Sequence, residues 1–538
     1  MNEIFVGIDL GTTNTLACYL RRGRPNFIRF AGSGDMLPSV LYVDAEKNIF
    51  VGEKAKKRGV IDPLNVIRSS KTYMADFGKT WTVGGKTFTP TQVAAEILSE
   101  VKRQIIKKLH CDDETKISAV ITVPAYFTAN QKDETKKAGF DAGFNVLQII
   151  TEPMAAAVAV VHELGLDEKI FVVDLGGGTF DISVLQADQK NRTYRALDID
   201  GDRKLGGDDF DALIYDYFIE LIQRDTKLDL SEQEISGLDY NEYFSMTGRV
   251  REAAEDAKIA LSEQETYTAD LMNLFTYRGK TYDFTVDLTR DKFNEICQPL
   301  YDKVTSRIKK FIAGSDKFTL DEIGTVILAG GSCHIPKIKA DVENIFGKRT
   351  DTQLDLGTLV AVGACFVAQT FSGVKTELEQ SENAKTLESA EQTETQAAQI
   401  ESQDVPAETE KFEDIISHSL GVEVLAPDGI SRVLSKIIFK GDVYPCEKTK
   451  LYTTTMDNQT TIPIYIYEAG SDCENIADID AHEFYGDLLL EIDDNEPAGV
   501  PVINVTFSYD KSGTLEVTAR DEKSGVNKTV TIKKGLRD

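Results

Sequence analysis

Two short segments, GIDLGTTNT at 7–15 and VDLGGGTFD at 173–181, share one pattern: an apolar run, then Asp-Leu-Gly, then a turn of Gly and Thr. A near-repeat of this kind inside one chain predicts two related units facing one another across a cleft. Each copy ends a β-branched run, IFVGIDL at 4–10 and IFVVDL at 170–175, so each sets its Asp at a strand end. AVITV at 119–123 and TVILAG at 325–330 read as strands of the same sort, and each leads through a Gly- or Pro-containing turn into a helical pattern. Residues 1–371 therefore read as an α/β unit.

The chemistry of such a cleft follows from its residue types. A phosphate chain needs backbone N–H donors, small hydroxyls and a cation placed by carboxylates. A GxxxxGK[ST] loop is absent from the sequence. The two Asp-Leu-Gly turns offer an alternative. Their glycines let backbone approach phosphate closely, and their threonines can donate to its oxygens. Asp9 and Asp174 can hold a hydrated Mg²⁺, which gives up its waters reluctantly.

Beyond residue 371 the character changes. Residues 372–411 hold ten acidic and three basic residues and no aromatic. Such a stretch cannot offset its ordering entropy by burial and reads as an acidic disordered linker. Residues 412–535 are all-β in pattern, with SLGVEVL, KIIFK, TKLYTTT, TIPIYIYEA, FYGDLLLEI, VINVTFSYD, TLEVTARD and KTVTIKK separated by turn residues, which predicts a β-sandwich. No helical pattern follows, so a helical lid is expected to be absent. The net charge of -28 argues against nucleic acid or an anionic membrane as partner. Seven cysteines, none in a C-x-x-C pair, fit a reducing compartment, and with no signal peptide or long apolar run the reading is a cytoplasmic protein.

GIDLGTTNT, ITVPAYF, TEPMAAA, VVDLGGGTFDISVL, GDRKLGGDDFD, EAAEDAKIALS and LAGGSCHIPKI occur in this order. Together they resemble the nucleotide-binding domain of the seventy-kilodalton heat-shock (DnaK-like) chaperones, and more broadly the two-lobed actin-like, ribonuclease H-like fold. DNQTTIPIYIYE and PAGVPVINVTFSYDKSGTLEVTARDEKSG resemble that family's β-sandwich peptide-binding domain. The resemblance implies an ATPase and ATP-dependent chaperone, using ATP/ADP, Mg²⁺ and in some members K⁺, that binds extended apolar segments of unfolded clients as a monomer. It implies that Gly11, Thr12 and Thr13 contact the phosphates while Asp9 and Asp174 organise the metal. Lys71, Glu152, Asp174, Thr179 and Asp181 would carry hydrolysis. Gly176, Gly177, Gly178, Gly206 and Gly207 would line the phosphate cleft. Glu255, Lys258 and Ser262 on one helix face, with Gly330, Gly331, Ser332 and His334 opposite, would hold the adenosine. Val422, Leu425, Tyr452, Thr455, Ile462 and Ile464 would form the peptide pocket.

The sequence departs from the family pattern in places. EKFEDIISHSLG at 410–421 has only Phe412, Ile415 and Ile416 where a leucine run is usual, so weakened coupling between the domains is expected. Gln148 and Thr151 stand where J-domain co-chaperones meet Arg and Asn, and the stretch between Lys71 and Pro124, gripped by nucleotide exchange factors, is short. Lys132 replaces an arginine of the family's signal relay, losing the bidentate fork. These features suggest a specialised member with few clients and dedicated co-chaperones. An actin-like filament protein would not need residues 412–535, and a sugar kinase would need a sugar pocket for which no motif is present. A peptide-holding module with a decayed ATPase is opposed by Asp9, Lys71, Glu152, Asp174, Thr179 and Asp181.

Overall fold

The computed structural model describes residues 3–112, 115–188, 190–350, 355, 357–372, 410–469, 475–476, 484–492, 496–511, 513–523 and 527–529. Most of the acidic linker stretch, 373–409, lies outside the described residues.

Each half of the near-repeat builds the same sheet. In the first lobe the strand Ile4–Leu10 pairs in parallel with Ile117–Val123, which pairs in parallel with Asn145–Thr151. On its other side Ile4–Leu10 turns back as the antiparallel strand Asn14–Arg21, followed by Arg24–Phe27. In the second lobe Lys169–Leu175 pairs in parallel with Ile323–Ala329 and turns back as Phe180–Asp188 and then Thr193–Asp202. The tight antiparallel return is the Asp-Leu-Gly turn in both cases. The central strands Ile117–Val123 and Lys169–Leu175 are buried almost throughout, as continuous apolar runs covered on both faces should be.

Helices pack on these sheets with ordinary local signals. Thr89 and Gln92 form a reciprocal capping box on Pro90–Leu109, and Thr128 and Gln131 do the same for Ala129–Asp141. Glu152–Leu164, read from TEPMAAAVAVV, is small, apolar and buried on all faces through Val161, and it lies in the core shared by the two lobes. Gly165 ends it in a left-handed conformation.

The carboxy-terminal part is a sandwich of two four-stranded sheets. One contains Arg432–Ile438, Ser419–Leu425, Thr461–Ala469 and Phe484–Glu491; the other contains Cys446–Tyr452, Ile503–Tyr509, Leu515–Asp521 and Asn527–Thr529. Strictly alternating burial in Ile503–Tyr509 and Leu515–Asp521 turns one face of each strand to the sandwich core.

Between the two parts, the strand Lys411–Ile415 joins the edge of the second lobe's sheet. It pairs in parallel with Thr193, Tyr194 and Arg195, and its far side pairs with Val443 and Tyr444 of the sandwich. Phe412 stacks on Tyr194 with ring centroids 5.5 Å apart, and Ile415 and Ile416 are buried. Three apolar residues thus suffice to seat the segment, because main-chain pairing supplies the rest. Nearby, Thr151 Oγ1 donates to Asp414 Oδ2 at 2.8 Å, and Gln148 Nε2 donates to Lys511 O at 3.2 Å. The two positions singled out for co-chaperone contact therefore face the linker strand and the sandwich here.

Candidate functional site

The two Asp-Leu-Gly turns meet on the floor of the interlobe cleft, a cavity of about 300 Å³. Gly11, Thr12 and Thr13 line it from the first lobe and Gly176, Gly177 and Thr179 from the second. A Cβ on Gly177 would collide with the Thr13 hydroxyl, so the turns approach only because that residue has no side chain. Gly178, Gly206 and Gly207 stand behind the lining. Gly207 N donates to Gly176 O at 2.9 Å and Asp208 N to Gly177 O at 2.7 Å, which ties the second turn to the start of the helix Gly207–Thr226.

Beside the turns lie four acidic side chains and one ammonium. Lys71, in the short 3-10 turn Ser70–Tyr73, donates to Glu152 Oε1 at 2.6 Å, and both are buried. Thr122 Oγ1, on the adjacent strand, donates to Asp9 Oδ1 at 3.0 Å, and Tyr126 N donates to Asp181 Oδ1 at 3.1 Å. Asp9, Glu152 and Asp174 line the cavity, whereas Asp181 sits just outside it. Burial, with repulsion from Glu152, pushes Asp9 up to about 7 and Asp181 up to about 8. Asp174 is raised well above the carboxylate range by burial and by Glu152, Asp181 and Asp9. A buried site in which Asp9, Glu152, Asp174 and Asp181 gather around the Lys71 ammonium is one that seeks a cation. Asp9 and Asp174, both lining the cavity, are carboxylates that could hold a Mg²⁺ which keeps most of its waters.

The upper cleft is walled by the helix Tyr240–Glu263, whose first turn is capped by the Asp239 side chain. Glu255, Lys258 and Ile259 face the cavity. Glu255 is paired across the cleft with Lys56 of the first lobe at 2.8 Å, and Lys258 with Asp211 at 2.6 Å. Ser262 falls outside the lining, its hydroxyl turned onto Lys258 O one helical turn back at 3.1 Å. Opposite are Gly330, Gly331, Ser332 and His334, following the strand Ile323–Ala329. Ser332 Oγ donates to Gly176 O at 2.9 Å, joining this wall to the second Asp-Leu-Gly turn.

Sequence reasoning missed Asn14, Leu16, Met36, Ile259, Ile335, Gly357 and Val360. Asn14 lies inside the first repeat and Ile259 beside Lys258, so both carried a signal. Met36, Gly357 and Val360 come from distant segments with no motif, and only the folded chain assembles them.

The six candidate peptide-pocket residues differ in burial. Val422 and Ile464 belong to the sandwich core, and Ile462 and Tyr452 are partly buried against it. Leu425, at the end of its strand, and Thr455, past the end of Cys446–Tyr452, are exposed, as are the nearby Ile430 and Met456.

A family model described as Hsp70 protein matches residues 5–82 and 75–537 of the chain. A chaperone protein dnaK from Cyanophora paradoxa is 32% identical over 550 residues, which cover 98% of this chain and 79% of that relative.

Proposed function

We propose, since the chain belongs to the Hsp70 family of ATPase chaperones, that ATP hydrolysis in the interlobe cleft sets how tightly the β-sandwich holds an extended apolar peptide. The observation that carries this reading is the strand Lys411–Ile415, which pairs with the sheet of the second lobe on one side and with the sandwich on the other. A change in the second lobe cannot move that edge without disturbing the sandwich.

Hydrolysis is phosphoryl transfer to water, so positioning and charge neutralisation are the work required of the protein. The backbone of Gly11–Thr13 and Gly176–Gly178 cradles the phosphates. Lys71, fixed by Glu152, offers its remaining protons to the transferred group and the attacking water. Thr179 and Asp181 orient that water from the second turn. When bound, the metal offsets phosphate charge. Asp9 and Asp174 place it, and Thr122 fixes the Asp9 carboxylate. The clients are extended apolar peptide segments taken at the edge and loops of the sandwich, around Leu425, Tyr452, Thr455 and Ile462.

The test is steady-state ATP hydrolysis with and without an unfolded apolar peptide, alongside peptide release on adding ATP. Peptide-stimulated hydrolysis and ATP-triggered release are expected. Hydrolysis indifferent to peptide, with release indifferent to ATP, would overturn the coupling.

A further inference from the structure

The interface between the first lobe and the sandwich buries ionisable side chains that hydrolysis does not use. Lys132, His418 and Glu468 are each 2% exposed. Glu468 Oε2 accepts a hydrogen bond from Ala129 N at 2.8 Å, so a sandwich carboxylate caps the first turn of the lobe's helix Ala129–Asp141. Among the described residues its Oε1 has no hydrogen-bond partner, and it lies 3.7 Å from His418 Nδ1. His418 Nδ1 is also 2.9 Å from Ser417 Oγ, and its ring meets Tyr126 edge-on at 4.3 Å. The charged groups facing this pair are Lys132 and Asp133 on the helix, Arg203 of the second lobe and Lys440 of the sandwich. Around Lys132 stand Asp414, Asp510 and the Tyr444 phenol, and Tyr485 and Tyr509 close the cluster.

We propose that this interface is a proton-linked latch: outside a middle window of pH the docked and the separated domains hold different numbers of protons on the His418–Glu468 pair, and acidity therefore sets how firmly they stay together. The proposal rests on the reading above that the domains part during the cycle.

Docked, burial and the cations Arg203, Lys440 and Lys132 push His418 down from 6.5 to about 3, and burial pushes Glu468 up from 4.5 to about 8. Between those limits the docked pair holds one proton, whichever atom carries it. Separated and returned to water, the pair holds two protons below 4.5, one between 4.5 and 6.5, and none above 6.5. The depressed histidine favours docking above its free value, a gain lost as pH falls. The raised carboxyl favours docking below its free value, a gain lost as pH rises toward about 8. The two slopes cancel from 4.5 to 6.5. Docking then weakens by up to about tenfold per unit from there to about 8, and weakens again on the acid side.

The experiment measures energy transfer between dyes attached through unnatural residues at the exposed positions 103 and 451, in full-length protein with saturating ATP or ADP, from pH 4.5 to 8. Wild type should show a plateau and then an alkaline fall. Glu468→Gln keeps an acceptor for Ala129 N and should rise to pH 6.5 and stay level. His418→Asn should fall throughout. Lys132 is unchanged in all three, so its contribution cancels. Three parallel profiles that do show separation would overturn the latch and leave the coupled cycle standing. Energy transfer fixed at its docked value under every nucleotide and pH would overturn both.

Discussion

Replacing Asp181 by asparagine should make the nucleotide-free protein more stable and less active at once. Asp181 is fully enclosed, and burial with Glu152 nearby lifts its carboxyl from 3.8 to about 8. A carboxyl raised in this way stabilises the fold below its unfolded value, and that stabilisation is lost as pH climbs through the folded value. Each unit of displacement corresponds to about 1.4 kcal/mol, so the four-unit rise sets a ceiling of about 5 kcal/mol at pH 8. Asparagine keeps the oxygen that accepts from Tyr126 N and carries no charge to bury. Allowing for relaxation of the open cleft, the expected gain is about 3–5 kcal/mol at pH 8, shrinking toward nothing near pH 4. Thermal unfolding in EDTA without nucleotide should show it as a rise of roughly 4–6 °C in Tm at pH 8. Hydrolysis should meanwhile fall by about 10²–10³-fold. An equal Tm difference at both pH values, or a less stable variant at pH 8, would refute the argument that this carboxyl is held against its own desolvation.

Lys71→Met should also lose about 10²–10³-fold in kcat while still binding nucleotide, measured by fluorescent-ATP titration beside single-turnover hydrolysis. It removes the ammonium that pairs with the buried Glu152, so its Mg²⁺-free Tm should drop, by contrast with Asp181→Asn. Lys56→Ala breaks the pair with Glu255 that bridges the lobes over the cleft. Since both side chains are about one-fifth exposed, at 21% and 19%, ADP release in stopped flow should quicken by about two- to fivefold. Phe412→Ala removes the stack on Tyr194 from the linker strand. The seated strand should weaken by about 1–2 kcal/mol, seen as faster proteolysis at 410–417 and reduced stimulation of hydrolysis by peptide.

Much of the architecture was legible because it depends on local signals. The repeat of Asp-Leu-Gly at strand ends gave both halves of the cleft, and alternation gave SLGVEVL and TIPIYIYEA as the strands Ser419–Leu425 and Thr461–Ala469. The two Asp-Leu-Gly turns were legible as a repeat, whereas Lys71 and Glu152 were set beside them by the family resemblance, and the structure brings all of them to one cavity. Side-chain direction was not. Ser262 shares a helix face with Glu255 and Lys258 by spacing, yet its hydroxyl bonds to the helix backbone, as serines on helices often do. The linker was read from hydrophobicity, which undervalues a segment held by main-chain pairing, since every residue brings an N–H and a C=O whatever its side chain. The His418–Glu468 contact joins residues fifty positions apart, His418 just before the strand Ser419–Leu425 and Glu468 within Thr461–Ala469, and no local spacing brings them together.

The strand Lys411–Ile415 also has a protective consequence. While it is seated, Thr193–Asp202 is an interior strand over the pairing at Thr193, Tyr194 and Arg195. Whenever the segment leaves, those residues become the rim of a sheet with unsatisfied main-chain groups, and Tyr194 loses its cover. Such a rim is a template for any extended chain, and the clients proposed above are themselves extended chains. The linker thus serves as a stopper against self-association and against capture of client at the wrong place, so a variant that unseats it should be found clumped or clogged as well as uncoupled.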